Sequence, residues 1–428
     1  MITNWSGSVR FSPHQSTQPV SEEDVVTLVK QARKLGSSIR VMGSGHSFTP
    51  LIETDAILVS FDQLQGLDDV DANKRLSSVW AGTKLKALGE LLFQKGCSLE
   101  NLGDINTQSI AGAVSTGTHG TGTRFGNLSD QLESITLVTA DGKIRTCSRE
   151  KDEELFHATR VSLGSLGLIT RMQMRVEPCY RLHYKSQRLP LQTVLDRLEE
   201  FKTKNRHFEF FWFPYTETTQ CKFMNKTNLP PTKRNGWSAF NKWVLENGAF
   251  WCLSEVARQI PRFSRWVSQI SAKGVPQFEE VGESHALFTT PRLVRFNEME
   301  YSIPAEALPS VIEEICRLFH KRPFYVHFPI EVRFVKRDDI WLSPAYQRNS
   351  AFIAIHMYKG MPYQEYFHAM EQIFLQYDGR PHWGKTHSLE VEELRRRYPR
   401  WDDFQRIRQQ LDPDGMFLNP YLKRLFGK

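Results

Sequence analysis

The chain has 428 residues, 40% of them hydrophobic and 24% charged, enough for a large core and more than one domain. No run of about 18 apolar residues occurs, which excludes a membrane-spanning helix. The six scattered cysteines show no CxxC spacing, so reduced thiols in a cytoplasmic setting are expected. The net charge of +7 comes from dispersed Lys and Arg. It favours an anionic cofactor, or weak peripheral contact with a membrane surface, over nucleic acid. The start, MITNWSGSVRF, lacks the apolar run of a signal peptide, so the Asn-x-Ser/Thr triplets carry no glycosylation message.

The first strong element is a helix, SEEDVVTLVKQARKLG. Ser21 and Asp24 form a capping-box-like start, and Val25, Leu28, Val29, Ala32 and Leu35 make an apolar stripe that Gly36 ends. A strand, SSIRVMG, runs into the glycine turn GSGHSF with His46 at its tip. The strand DAILVSF follows, then the strand-turn-helix SSVWAGTKLKALGELLFQKG, with Thr83 near the helix start and Gly96 at its end. The stretch NLGDINTQSIAGAVSTGTHGTGTRFGN has a linker-like composition. Its Ile110, Ala111, Ala113 and Val114 argue for burial instead. Two strands joined by Asp141-Gly142 read as a hairpin. A third glycine turn, SLGSLG, leads into one more strand, and a first domain closes near Pro178.

From Tyr180 to Lys273 the pattern gives no clean reading. The aromatic segment 237–266 is expected to be a packed helical excursion, with a membrane- or partner-docking surface as the sharper alternative. From Val294 the order is clear: the strand VRFNEMEYSI, the helix PAEALPSVIEEICRLFH, the strands FYVHFPIEVRFVK and AFIAIHMYK, and the helix PYQEYFHAMEQIFLQYDG. The expected fold is α+β, with helices on one face of a mostly antiparallel sheet in the second part. The expected division is 1–178, 179–380, and a segment 381–428 that returns to the first domain.

Glycines let backbone N–H groups approach a phosphate. GSGHSF lacks the last glycine of the dinucleotide fingerprint, no GxxxxGK[ST] is present, and GTHGTG has the wrong order. Three glycine turns remain, at 43–45, 112–122 and 164–167. Together they point to a large phosphate-containing ligand across several loops.

In order, VMGSGHSFTP, LENLGDINTQSIAGAVSTGTHGTG, IWLSPAYQR and HWGKTH with LDPDGMFLNPYL resemble the sugar-1,4-lactone oxidases (gulono-, galactono- and arabinonolactone oxidases). These belong to the vanillyl-alcohol-oxidase superfamily of flavoproteins, and alditol oxidases are cousins. The resemblance implies a two-domain flavoprotein, with an FAD-binding domain and an α+β cap domain for the substrate. It implies FAD held through Met42, Gly43, Ser44, Gly45, His46, Ser47, Gly103, Gly112, Ser115, Thr116, Gly117, Thr118, His119, Gly122, Ser165, Gly167, Ile169 and Lys385. His46 is placed for a covalent bond to the flavin, since a neutral imidazole is a competent nucleophile. As a plain residue it would cap its turn. His119 is read as a loop-holding or pyrophosphate-contacting residue. The hydroxyls of Ser115, Thr116 and Thr118 serve either the ligand or their own backbone.

On the substrate side, PIEVRF puts Glu331 and Arg333 on one face of an apolar strand. An exposed pair of this kind is worth ~0–1 kcal/mol, but burial makes it a site for reading hydroxyls. His356 and Tyr358 are expected to line the same face. By resemblance Glu331, Arg333, His356, Lys385 and Gly103 are the catalytic set. Lys385 stabilises negative charge on the reduced cofactor, and Gly103 leaves room for oxygen where the plant mitochondrial galactonolactone dehydrogenase carries alanine. His382 and His387 lack a third ligand in sequence, so no metal is expected. The implied reaction is hydride transfer from a carbinol carbon to flavin, with oxygen reduced to hydrogen peroxide and an ascorbate-type product. The alternatives are an alditol oxidase, which His356 favours, and a non-catalytic nucleotide-binding protein. The particular sugar, the oligomeric state, the physiological acceptor and the role of Asp104 are not legible.

Overall fold

The computed structural model describes residues 1–233, 247–289 and 294–427. Near the amino terminus β1 (Gln15–Thr17), β2 (Ile39–Met42) and β3 (Ile57–Ser60) form a parallel sheet in the order β1-β3-β2. Between β1 and β2 runs α1 (Glu22–Leu35). Ser21 accepts the Asp24 N–H, Asp24 accepts the Val20 N–H, and Gly36 bonds back to Ala32 and Arg33. Val25, Leu28, Val29 and Ala32 are buried as the stripe requires. Leu35 is exposed, because the last turn projects past the packed face.

The second sheet is antiparallel. β4 (Leu67–Asp71), β5 (Leu76–Trp80), β6 (Leu132–Val138), β7 (Ile144–Ser148) and β8 (Leu168–Arg175) lie in the order β7-β6-β8-β5-β4. The β6–β7 turn is the expected Asp141-Gly142 hairpin. After β5 comes α2 (Leu85–Gln94), preceded by Lys84 rather than a side-chain cap. Thr83 turns its hydroxyl to the Trp80 and Gly66 carbonyls instead. The glycine-rich stretch is buried as expected and carries the short α3 (Ile110–Ser115).

The second part is built on an eight-stranded antiparallel sheet. Its strands are β9 (Arg181–Pro190), β10 (His207–Trp212), β11 (Thr218–Thr227), β12 (Phe278–Glu283), β13 (Phe296–Pro304), β14 (Ile330–Val335), β15 (Ser350–Tyr358) and β16 (Arg380–Pro381). Their order is β12-β9-β11-β10-β14-β15-β13-β16. β9, β10 and β11 fall where the pattern gave no reading. β10 is buried at every position, so no alternation marks it. β14 starts at Ile330; the preceding FYVHFP is not strand.

α4 (Asn247–Gln259) and α5 (Ser264–Lys273) are the helices expected in the aromatic segment, and residues 234–246 of it lie outside the described residues. α6 (Leu308–Lys321) and α7 (Gln364–Gln376) pack on each other, and α7 packs on β13. Beyond β16 the chain returns to the first part. The Ile39 N–H donates to the Met416 carbonyl (2.9 Å), and the Asn419 amide donates to the Pro50 and Glu53 carbonyls (2.8 Å each). The Gly122 N–H donates to the Phe334 carbonyl on β14 (2.7 Å), which draws the glycine-rich stretch against the large sheet.

Candidate active site

All three glycine turns line one cavity of about 930 Å³. Met42 to Ser47 form one wall, Gly112, Ser115 and Thr116 a second, and Gly164, Gly167 and Ile169 a third. Gly45 has φ +65°, a left-handed turn that swings His46 out beyond β2. A Cβ on Gly82 would lie 1.7 Å from the Phe61 carbonyl oxygen, so only glycine lets these two backbones meet under the cavity.

His46 stands where this cavity meets a second one of about 640 Å³, and it lines both. Its Nε2 lies 2.8 Å from the Thr107 hydroxyl, and its ring stacks on Trp5 at 5.7 Å. Burial first, then Lys385 and Lys84, push its pKa down to about 4. The imidazole is therefore neutral near neutral pH. The turn is tied to the carboxy-terminal segment PHWGK: the Phe48 N–H donates to the Gly384 carbonyl (2.7 Å) and Thr49 to the Trp383 carbonyl (3.1 Å). This brings Lys385 to the same mouth.

The second cavity is walled by one face of the large sheet. Phe296, Glu298 and Glu300 come from alternate positions of β13, Glu331 and Arg333 from β14, and His356 from β15. Gly103, Asp104, Thr118, His119, His382 and Lys385 close it from the loops. The charges are paired. Arg333 Nε donates to Glu209 (3.0 Å) while its other arm meets Glu331. Lys222 holds Glu209 from behind at 3.0 Å, and Lys385 lies 2.5 Å from Glu298. Burial raises the Glu298 pKa, but Lys385 and then His356 outweigh it and bring the group to about 2. For Arg333 burial opposes the charge, and Glu331, Glu209 and Asp104 hold it well above the usual arginine value. The arrangement is a set of fixed charges and hydrogen-bonding groups in a small enclosed space, suited to reading the hydroxyls of a small polar ligand.

Comparison with known proteins matches residues 13–148 to a family model described as "FAD binding domain" and residues 172–425 to one described as "D-arabinono-1,4-lactone oxidase". The chain belongs to the D-arabinono-1,4-lactone oxidase family. It is 40% identical over 425 residues to an L-gulono-1,4-lactone dehydrogenase of Mycobacterium tuberculosis, covering 99% of both chains. It is 33% identical to the L-gulonolactone oxidase of Bos taurus, covering 99% of this chain and 97% of the relative. A solvent-stable cholesterol oxidase has the same fold, with a TM-score of 0.85 at 18% identity over 99% of this chain and 97% of that one.

In this lactone-oxidase family member most of the first cavity's lining falls within the residues matched to the FAD-binding model, and its residues fit that cofactor. Glycine backbones face the cavity on three sides. The hydroxyls of Ser44, Ser47, Ser109 and Ser115 stand around it. Several of the residues expected at the cofactor lie elsewhere. Gly117 and Gly122 line neither cavity: Gly117 is the turn that follows α3, and Gly122 is committed to Phe334. Ser165 is buried, with its hydroxyl on the Ser162 carbonyl (2.7 Å). Thr116 lines both cavities, and its hydroxyl donates to the Gly112 carbonyl (3.0 Å). His119, Thr118, Gly103 and Lys385 line the second cavity, not the first. Tyr358 shares the face of His356 but lies beyond the cavity, with its hydroxyl on Glu255.

Other site residues were missed: Arg40, Gly82, Lys84, Gln108 and Ser109 at the first cavity, and Phe296, Glu298 and Glu300 at the second. The last three had a signal. In FNEMEYSI two carboxylates alternate on a strand whose other residues are mostly apolar, the same cue that marked Glu331 and Arg333.

His382 does find third and second partners: His119 and Glu300 gather with it, ligand atoms within 4.8 Å of one another and all three buried. At His382 the hydrogen bonding argues for a proton on the inward nitrogen rather than a metal. The Gly384 N–H occupies Nδ1 of His382 (3.1 Å), so the neutral ring carries its proton on Nε2. His119 Nδ1 donates to the Gly120 carbonyl (2.9 Å), and its Nε2 lies 3.2 Å from Glu300. His387 points away, to the Tyr421 hydroxyl.

Proposed function

We propose that the protein is an FAD-dependent oxidase of a sugar-1,4-lactone. The observation that carries this reading is the meeting of the two cavities at His46. Most of one cavity's lining belongs to the FAD-binding match, and half of the other's belongs to the arabinonolactone-oxidase match, including all of its sheet face. Bound FAD supplies a two-electron acceptor and passes the electrons on to oxygen. Glu331 and Arg333 hold the lactone hydroxyls by charge-assisted hydrogen bonds. Lys385, fixed by Glu298, keeps a positive charge at the mouth shared with His46, where negative charge develops. Holding the carbinol carbon in a reactive pose contributes up to ~7–11 kcal/mol of the rate enhancement. The buried sheet face and the Phe296 ring exclude water.

The test is anaerobic mixing of the yellow protein with L-gulono-, L-galactono- or D-arabinono-1,4-lactone, and in parallel with xylitol. A lactone should bleach the flavin, and air should restore the colour with release of peroxide. Bleaching by xylitol alone favours a polyol oxidase, the reading that His356 in the cavity would then support. No bleaching by either sinks both.

We also propose that His46 carries the flavin covalently, since its neutral imidazole faces both cavities. Acid precipitation should leave the colour in the pellet, and His46→Ala should release it to the supernatant. Colour released from the wild type contradicts the bond.

Gly103 sets access for oxygen in this reading. A Cβ there would lie 3.0 Å from the His119 carbonyl oxygen and 3.6 Å from the Thr118 methyl, closing the gap at modest strain. Gly103→Ala should slow reoxidation by oxygen by about tenfold, about 1.4 kcal/mol, and leave lactone reduction nearly unchanged. Equal reoxidation rates remove Gly103 from that role.

A further inference from the structure

Three neighbouring strands carry a row of charge that the oxidase reading leaves without a role. Lys222 on β11 stands directly opposite Glu209 on β10, and Glu209 stands directly opposite Arg333 on β14. Residues paired in this way share one face of the sheet, with Cβ atoms about 4.5–5.5 Å apart. Lys222 Nζ lies 3.0 Å from one Glu209 oxygen, and Arg333 Nε donates to the other at 3.0 Å. Glu209 is buried, and burial opposes its charge. Lys222 and Arg333 outweigh that and hold the carboxyl below its usual value. Burial also opposes the Lys222 charge, and Glu209, then Asp104, hold that ammonium above its usual value. Neither Glu209 nor Lys222 lines the second cavity. Two ions are thus kept charged behind its wall in spite of the cost of desolvating them.

Their effect falls on Arg333. A guanidinium can offer a carboxylate two parallel N–H pairs, Nε with Nη2 and Nη1 with Nη2. Nε is bonded to Glu209, and Nη2, common to both pairs, meets Glu331. A ligand carboxylate therefore finds neither pair whole, whereas a hydroxyl needs a single N–H. The charges point the same way. The cavity lining holds four carboxylates, Asp104, Glu298, Glu300 and Glu331, against one arginine and one lysine, Arg333 and Lys385. Arg333 already faces Glu331, Glu209 and Asp104, and Lys385 is paired with Glu298. An anion entering here gives up its hydration and meets an excess of like charge.

We propose that Glu209, with Asp104 from the loop, makes this cavity select uncharged polyhydroxy ligands and refuse carboxylates. Glu209 does so through Arg333 and touches no ligand itself. The proposal rests on the oxidase reading and deepens it: the ring-closed lactone is admitted, and the open-chain aldonate formed when that ring takes up water is not.

The test uses the full-length holoprotein and two probes, L-gulono-1,4-lactone and L-gulonate, at about pH 7, where the acid is an anion. Flavin reduction by the lactone is measured with gulonate as competitor, and gulonate binding is read from the flavin difference spectrum. The wild type should bind gulonate at least about 100-fold more weakly than the lactone. Glu209→Gln keeps an amide oxygen for Arg333 Nε and removes one negative charge. It should tighten gulonate binding by about tenfold, the effect of one charge at a partly screened site, while KM for the lactone stays or rises. Asp104→Asn should do the same. A displaced Arg333 would weaken both ligands, so opposite signs separate selection by charge from a structural role. Gulonate bound as tightly as the lactone by the wild type overturns the proposal. So does gulonate binding unchanged in Glu209→Gln, or in Asp104→Asn should the former not fold. If no lactone or polyol bleaches the wild type, the functional reading has failed instead, and the gulonate difference spectra still tell whether Glu209 sets the selectivity against anions.

Discussion

Replacing Arg40 with Leu is expected to leave little folded, flavin-retaining protein. Arg40 is 3% exposed and faces no carboxylate among the described ion pairs. Burial lowers its pKa only to about 10, so it remains a cation. Its Nε donates to the Leu51 carbonyl (2.9 Å), one arm to Gly164 (3.0 Å) and Phe417 (2.6 Å), and the other to Leu163 (2.9 Å). One side chain thus joins the segment after the first glycine turn, the third glycine turn and the carboxy-terminal segment. Each buried carbonyl left without its donor costs about 1–3 kcal/mol. Four such losses rival the ~5–15 kcal/mol that holds a typical protein folded. Arg40→Lys should recover part of the loss, because an ammonium can serve some of these acceptors. Thermal melting followed by flavin absorbance is the check. A Leu variant melting within about 2 °C of the wild type would contradict the staple, since 1 kcal/mol moves the midpoint of large domains by ~2–4 °C.

Stability should also fall steeply as pH drops from about 6.5 to 5. His207, His327 and His382 are buried, and burial first of all pushes each pKa from 6.5 to about 3. The unfolded chain takes up these protons below pH 6.5 while the folded one does not. The stability they confer is therefore complete above 6.5 and is lost as pH falls toward about 3. At about pH 5 the cost is at most about 2 kcal/mol for each ring. Glu298 acts lower on the scale: with its pKa brought to about 2, its contribution is lost only as pH falls from the ordinary carboxylate value of 4.5 through about 2. The acid loss should thus begin with the histidines. Calorimetric midpoints that stay flat from pH 7 to about pH 5 would sink this account.

These two predictions show where the sequence stops speaking. α1 was legible to its cap, because Ser21, Asp24 and Gly36 act locally. Glu331 with Arg333 was legible, because a strand repeats every two residues and charge in an apolar strand is costly unless it is used. Glu298 and Glu300 obeyed the same rule and only needed it applied to β13. Arg40 gives no such signal: its partners are main-chain carbonyls 11 to 377 residues away, and any residue type supplies a carbonyl. β10 was invisible for a different reason, since burial on both faces erases the alternation that marks a strand. The grouping of the three glycine turns was inferred as a set, but not its membership. Gly122 and Ser165 are spent on tertiary contacts that spacing cannot reveal.

On this reading one flavin nucleotide fills the first cavity and brings its ring to the mouth shared with the second at His46. The most direct measurement is a crystal structure of the yellow protein soaked with a 1,4-lactone. It should show the nucleotide end against Gly164, Gly167 and Ile169, the ring bonded to His46, and the lactone between that ring and Glu331, Arg333 and His356. A flavin elsewhere, or one whose ring turns away from that sheet face, would contradict it.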